Sequence, residues 1–182
     1  MIETIRIGTL LRETAATPYR NLITRPTGAA VRDRIEAALA ESDCATALLD
    51  FSDIELLDFS CADEVVAKLL LADSDRGGRM VVLQGLSHDQ YEAIEQVLNH
   101  HGLAVVAVSS GDGSGMPQLI GWVSADARQA FRCLCELGAL RATQLAHALG
   151  WTDARCRETL RALLARRLVR SEGELYFPIT IA

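Results

Sequence analysis

The run Asp58-Phe59-Ser60-Cys61-Ala62-Asp63-Glu64 places a hydroxyl, a thiol and three carboxylates within seven positions. Ser60 between Asp58 and Asp63 suits three uses: direct chemistry, covalent modification, or capping of a helix. The spacing Ser60-x-x-Asp63 is that of a cap followed three residues later by an acid. Asp63 and Glu64 also complement the positive end of a helix dipole. A phosphate on Ser60 would be favoured by a helix N-terminus and opposed by Asp58, Asp63 and Glu64. Such added charge would break an interface more readily than build one. Upstream, Asp50, Asp53, Glu55 and Asp58 form an acidic corner, which suits either a divalent cation or a solvated loop.

Other chemistry-bearing residues are scattered. Arg25-Pro26-Thr27-Gly28 before a helical pattern offers an anion contact through Arg25, or a structural stop with Thr27 as N-cap. His100 and His101 are adjacent and point apart, with no metal spacing to His88 or His147. Cys133 and Cys135 lack the second pair that a zinc site needs. No Walker motif, nucleophile elbow or dinucleotide fingerprint is present. The expectation is therefore no catalytic residue, no metal and no cofactor.

Elements that position the Ser60 run follow from hydrophobic periodicity. An alternating segment at 2–11 reads as a strand near a sheet edge. A short extended piece follows over 19–24, and a helix over 28–41 with Val31, Ile35, Ala38 and Leu39 on one face. Continuous apolar runs at 45–51, 79–84 and 103–108 read as buried strands. Helices are expected over 61–73 and, behind a capping box at Ser87 and Gln90, up to Gly102. Arg76-Gly77-Gly78 reads as a turn, and the glycine- and serine-rich 109–115 as a flexible loop. A last strand is expected over 118–123. Strands alternating with helices define an α/β unit over residues 1–123 with a largely parallel central sheet.

Charge changes sign beyond that unit. Residues 1–124 carry 9 Lys/Arg against 18 Asp/Glu, and residues 125–182 carry 9 Arg against 6 Asp/Glu. The second unit, 124–182, reads as helices over 126–137, 142–149 and 152–167, then a β-hairpin with its tip at 171–174. Three helices and a hairpin are the winged helix-turn-helix order. Within the third helix Cys156, Leu160, Leu163 and Leu164 turn inward, which leaves Arg157 and Arg161 outward and Arg155 toward one flank. Glu158 has the spacing to pair with Arg155 and Arg161. Together with Arg170 in the hairpin, these arginines are the candidate DNA contacts.

Of the 182 residues, 49% are hydrophobic and 23% charged, a globular composition. No apolar run reaches the roughly 18–20 residues of a membrane span. The first residues lack a signal-peptide pattern, and five scattered cysteines suit reduced thiols, so a cytoplasmic location is expected.

The stretch Leu48-Leu49-Asp50-Phe51-Ser52-Asp53-Ile54-Glu55-Leu56-Leu57-Asp58-Phe59-Ser60-Cys61-Ala62-Asp63-Glu64 resembles the strand-loop-helix signature of STAS domains, the fold of anti-sigma-factor antagonists. It is most similar to the STAS-like branch, which carries a related Ser-Phe/Cys-Ala-Asp-Glu run. In the antagonists the phosphorylated serine directly follows an aspartate; here Phe59 stands there, and Ser60 matches the second serine. The resemblance implies a STAS-like mixed sheet with flanking helices, followed by the small α+β winged helix unit. It further implies a non-enzymatic module that docks through Asp58, Phe59, Ser60 and Asp63 onto a regulatory protein, often one with a histidine-kinase-like ATPase fold or an anti-sigma factor. The alternative is a DNA-binding transcription regulator with a STAS-like sensor. A homodimer is compatible with either.

Overall fold

A computed structural model describes residues 1–15, 19–75, 78–109, 115–179 and 181. Along the chain run β1 (Ile2–Arg6), α1 (Ile7–Ala15), β2 (Asn21–Leu22), α2 (Arg25–Ala40), β3 (Thr46–Asp50) and β4 (Leu56–Leu57). A continuous helical stretch follows: α3 (Phe59–Ala62), a π-helical segment (Asp63–Lys68) and α4 (Leu69–Asp75). Next come β5 (Met80–Gln84), α5 (His88–His101), β6 (Ala104–Val108) and β7 (Gln118–Gly121). The C-terminal third holds α6 (Ala125–Leu137), β8 (Leu140–Arg141), α7 (Ala142–Leu149), α8 (Asp153–Ala165), β9 (Val169–Glu172) and β10 (Leu175–Pro178). The expected turn at Arg76-Gly77 and the loop over 110–114 lie outside the described residues.

The chain is mixed α/β. Its five-stranded sheet has the order β1-β3-β5-β6-β7. Neighbouring strands from β1 to β6 are parallel, and β7 returns antiparallel to β6. β2 and β4 form a separate two-stranded parallel pair that carries the loop after β3. In the C-terminal third, β10 lies between β8 and β9.

Alternation along the buried strands explains how both sheet faces are used. Ala47, Leu49, Val81, Leu83, Val105 and Ile120 face one core, packed under α1, α2, α5 and the α3–α4 stretch. Leu48, Val82, Val106 and Leu119 point the other way. They share a second core with Ala130, Phe131, Leu134, Leu145, Leu160 and Leu163 of the C-terminal helices. Val82 and Val106 are fully buried there. The C-terminal third is thus the cover of one sheet face. Arg128 of α6 fastens it to the edge, donating to the carbonyls of Leu119 and Gly121 at 2.8 Å each.

Several boundaries differ from the periodicity reading. Ile7 to Leu11 belong to α1, not to a ten-residue strand, and Ile7 and Leu11 are both fully buried on one helical face. α2 begins at Arg25, with Pro26 in its first turn. Pro needs no N–H donor there and its fixed φ suits the helix start. The cap position is therefore Thr24, not Thr27, and Thr24 adopts φ 71°. Leu137 is 59% exposed at the end of α6.

Helix ends follow chemistry that is partly local. Ser87 and Gln90 form the expected reciprocal capping box, and Gly102 closes α5 at φ 66°. Gly150 closes α7 in the same left-handed conformation. α8 ends differently. The amide of Arg167 donates to Leu164 O and that of Leu168 to Leu163 O, the paired bonds of a Schellman motif. Its left-handed position is held by Arg167, at φ 55°, where α5 and α7 place glycine.

Candidate functional site

The corner between β3 and α3 is built by Asp58. Its side chain accepts from the amide of Cys61 at 2.7 Å and from the hydroxyl of Ser60 at 2.8 Å, both on Oδ1. Its other oxygen accepts from the amide of Thr24 at 3.0 Å. Asp58, not Ser60, is thus the N-cap, and Ser60 sits one residue inside the helix. The shift follows from Ser60 already having helical backbone, which aims its hydroxyl back at the cap. Burial pushes the Asp58 carboxyl up, but the donations from Cys61, Thr24 and Ser60 together outweigh it, so it ionises below its ordinary range. Cys61 is fully buried and gives its thiol hydrogen to Thr24 O at 3.0 Å. Burial, then the adjacent Asp58 charge, pushes that thiol up to about 12, far from thiolate chemistry at neutral pH.

Below the cap lies an ionic cluster. The Glu64 side chain is 3% exposed and is met by Arg25, Arg32 and Lys68. Asp63 accepts from Arg25 at 2.7 Å and bonds His101 Nε2 at 2.7 Å. For both acids burial opposes ionisation, and the cationic partners more than reverse it, so both are held below the ordinary carboxylate range. Gly28 permits the close approach of α2: a Cβ there would lie 3.0 Å from Cys61 Cα and 3.1 Å from Glu64 Cβ. The cluster coincides with the π-helical segment, whose wider turn swings Asp63 and Glu64 toward α2 and α5. Such insertions recur at functional sites.

Above the cluster an open cavity of about 390 Å³ is lined by Arg25, Phe59, Ser60, Asp63, Val97, His100 and His101. Phe59 stands at its rim, 49% exposed. Leu56, on the adjacent β4, is 55% exposed, and Tyr19, just before its partner strand β2, is 45% exposed. These exposed apolar side chains lie on β4, at the start of α3 and just before β2, beside the ionised groups of the cluster.

The four residues expected at the corner, Asp58, Phe59, Ser60 and Asp63, are brought together. The acidic residues before them are not. Asp50 holds the amide and hydroxyl of Ser52, Asp53 faces Arg12 at 3.8 Å, and Glu55 faces Arg20 at 3.4 Å. Arg25 is committed to Asp63 and Glu64 and so is not left to hold an anion. Sequence reading missed the buried Glu64 and the His101–Asp63 pair. The Glu64/Lys68 spacing of four was the available signal for the first; the second depends on α5 packing against the π segment and had none.

The arginines of α8 divide. Arg155 makes a two-pronged pair with Asp126 at 2.7 and 2.8 Å and lies 4.3 Å from the centre of the Trp151 ring. It is directed at α6 and Trp151, and the expected pairing of Glu158 with Arg155 and Arg161 is absent among the described residues. Arg157 and Arg161 are exposed, with no ion pair among those residues. Arg170 lies 5.9 Å over the Phe177 ring.

No family model, curated protein or solved structure matches the chain. No helix among the described residues is long and apolar enough to cross a membrane.

Proposed function

We propose that the chain is a non-enzymatic regulatory module that docks a signalling protein on the corner formed by Leu56, Phe59 and Ser60. The observation that supports this is the exposed Phe59 on a helix start whose geometry is locked by Asp58 and the buried Glu64. A preorganised apolar anchor loses little entropy on association. The STAS-like pattern of residues 48–64 points to a partner regulator with a histidine-kinase-like ATPase fold or an anti-sigma factor. In this reading the C-terminal third, with its winged-helix element order, is an output or interaction unit, and the protein works in the cytoplasm. Ser60 serves the surface as a hydroxyl. Ser60→Asp sets a third carboxylate beside Asp58 and Asp63 and weakens docking while the fold persists.

The test is affinity capture from the native host with wild type, Phe59→Asp and Ser60→Asp, each shown folded by circular dichroism. The expected result is a regulator retained by wild type and lost with both variants. The same capture profile for all three proteins would sink the proposal. A second reading, an operator-binding regulator, draws on the exposed Arg157 and Arg161 of α8. It requires duplex DNA binding at low salt, where phosphate contacts are strongest.

A further inference from the structure

At the end of the sheet where β3 and β5 begin, opposite the end that leads to Ser60, the C-terminal third leaves a cleft of about 500 Å³. Gly78 and Arg79 form one wall; Arg167, Arg170, Ser171 and Glu172 form the other. Its size falls within the range of small-molecule pockets, about 300–1,000 Å³.

Two independent features mark this cleft as built. First, Arg167 holds the left-handed position of the Schellman motif, a backbone conformation that disfavours any side chain. Backbone strain of this kind persists where the surroundings over-determine it, and it clusters at ligand sites. Second, the Arg167 guanidinium lies directly against Gly78: a Cβ there would sit 1.7 Å from Arg167 Cζ. A side chain at position 78 would displace it. The guanidinium has neither a hydrogen-bond nor an ion-pair partner among the described residues, although Arg167 is only partly exposed. Nearby, Arg79 is already balanced by Asp73 and donates to Leu39 O at 2.7 Å. Arg170 is exposed and rests over Phe177. The charge left to meet a ligand is that of Arg167 and Arg170, with Glu172 the one carboxylate in the lining.

We infer that this cleft binds a phosphorylated small molecule of nucleotide size, with Arg167 and Arg170 on its phosphates. A guanidinium offers a rigid fork of donors matched to phosphate oxygens. Ser171 and Glu172 supply acceptors for hydroxyl groups on the same ligand, which a bare phosphate lacks. The cleft is open and its two free arginines sit on the wall that faces Gly78, so it suits the phosphates of one small ligand more than the extended backbone of a duplex. Because the walls come from the start of β5 and from the α8–β9 junction, an occupant would clamp the C-terminal third to the sheet.

Calorimetry and thermal unfolding test this with pyrophosphate, ADP and a 20-base-pair duplex at low ionic strength. Wild type is expected to bind ADP and pyrophosphate and to melt at higher temperature in their presence. Arg167→Gly removes the fork and also relieves the backbone, so it is expected to melt no lower than wild type without ligand yet to bind at least tenfold more weakly. Arg170→Gln is expected to weaken binding as well, and Arg157→Ala to leave it unchanged. The inference is overturned if wild type binds neither phosphate probe, if Arg167→Gly binds as well as wild type, or if Arg157→Ala weakens binding equally. It is also overturned if the duplex binds and displaces ADP.

Discussion

At the Asp58–Glu64 corner, three cations converge on one buried carboxylate, and Phe59 is left exposed beside them. On α8 the buried side chains are Cys156, Thr159, Leu160 and Leu163, and the arginines lie outside, Arg155 held by Asp126 and Trp151. Both regions are helix starts capped by a side-chain oxygen, Asp58 in one and Thr152 in the other. The difference lies in what packs over them. α2 and α5 lie over the first and must neutralise its acids. α8 turns its far face to solvent, so Arg157 and Arg161 need no partner. Charge at the corner therefore contributes to stability, whereas charge on α8 is free for recognition.

The largest effect is expected from removing the unit that bears α8. A chain ending at Val123 exposes Leu48, Val82, Val106 and Leu119 together, so it should lose cooperative thermal unfolding and bind a hydrophobic dye. A soluble, cooperatively melting 1–123 fragment would show that the second core is dispensable.

Glu64→Ala comes next. It leaves Arg25, Arg32 and Lys68 around a vacated position, and breaking a buried pair costs about 3–5 kcal/mol. These cations are partly exposed, so about 2–3 kcal/mol is expected in urea unfolding. The pH dependence has a definite sign. Asp58, Asp63 and Glu64 all ionise more readily in the folded state than at their ordinary values of 3.8, 3.8 and 4.5. Their contribution is complete above those values and is lost as pH falls through the lower folded ones. Stability should therefore drop below about pH 4.5, and less steeply in Glu64→Gln. An equal acid slope in the variant would assign the loss to other carboxylates.

Asp58→Ala removes acceptors from Cys61, Ser60 and Thr24, with about 1–2 kcal/mol expected from loss of a cap. Ser60→Ala should cost less, because the cap itself remains. If Ser60→Ala proved the more destabilising, the assignment of Asp58 as cap would be wrong. Smallest is the double substitution Arg157→Ala with Arg161→Ala. Exposed residues without partners change stability by no more than about 0.5 kcal/mol. Duplex binding at low salt, where present, should fall sharply in this variant; retention of full DNA affinity would remove α8 from that interface.

Much of the fold was legible along the chain. Apolar runs at Thr46–Asp50, Met80–Gln84 and Ala104–Val108 marked the parallel strands, because strands buried on both faces lack polar alternation. Ser87 with Gln90, and Gly102 and Gly150, marked helix ends through bonds that span three or four residues. The four corner residues were also recognisable, since β3, the loop and α3 are contiguous. Where local signals competed, they misled: Ile7 and Leu11 fit a strand or a helix, and Ser60 and Asp58 both suit a cap.

Chain chemistry alone determined most of the strands and helices, α1 excepted, because periodicity and capping act over one or two turns. Only the tertiary structure decided that the C-terminal third closes the second sheet face, that Glu64 is buried among cations from α2 and its own helix, that Asp63 meets His101, and that Arg167 lies against Gly78. Those contacts join residues about 4 to 90 positions apart, and most of them depend on which faces pack together. No spacing rule for a single element encodes that choice. It is set by the area that each apolar face must remove from water.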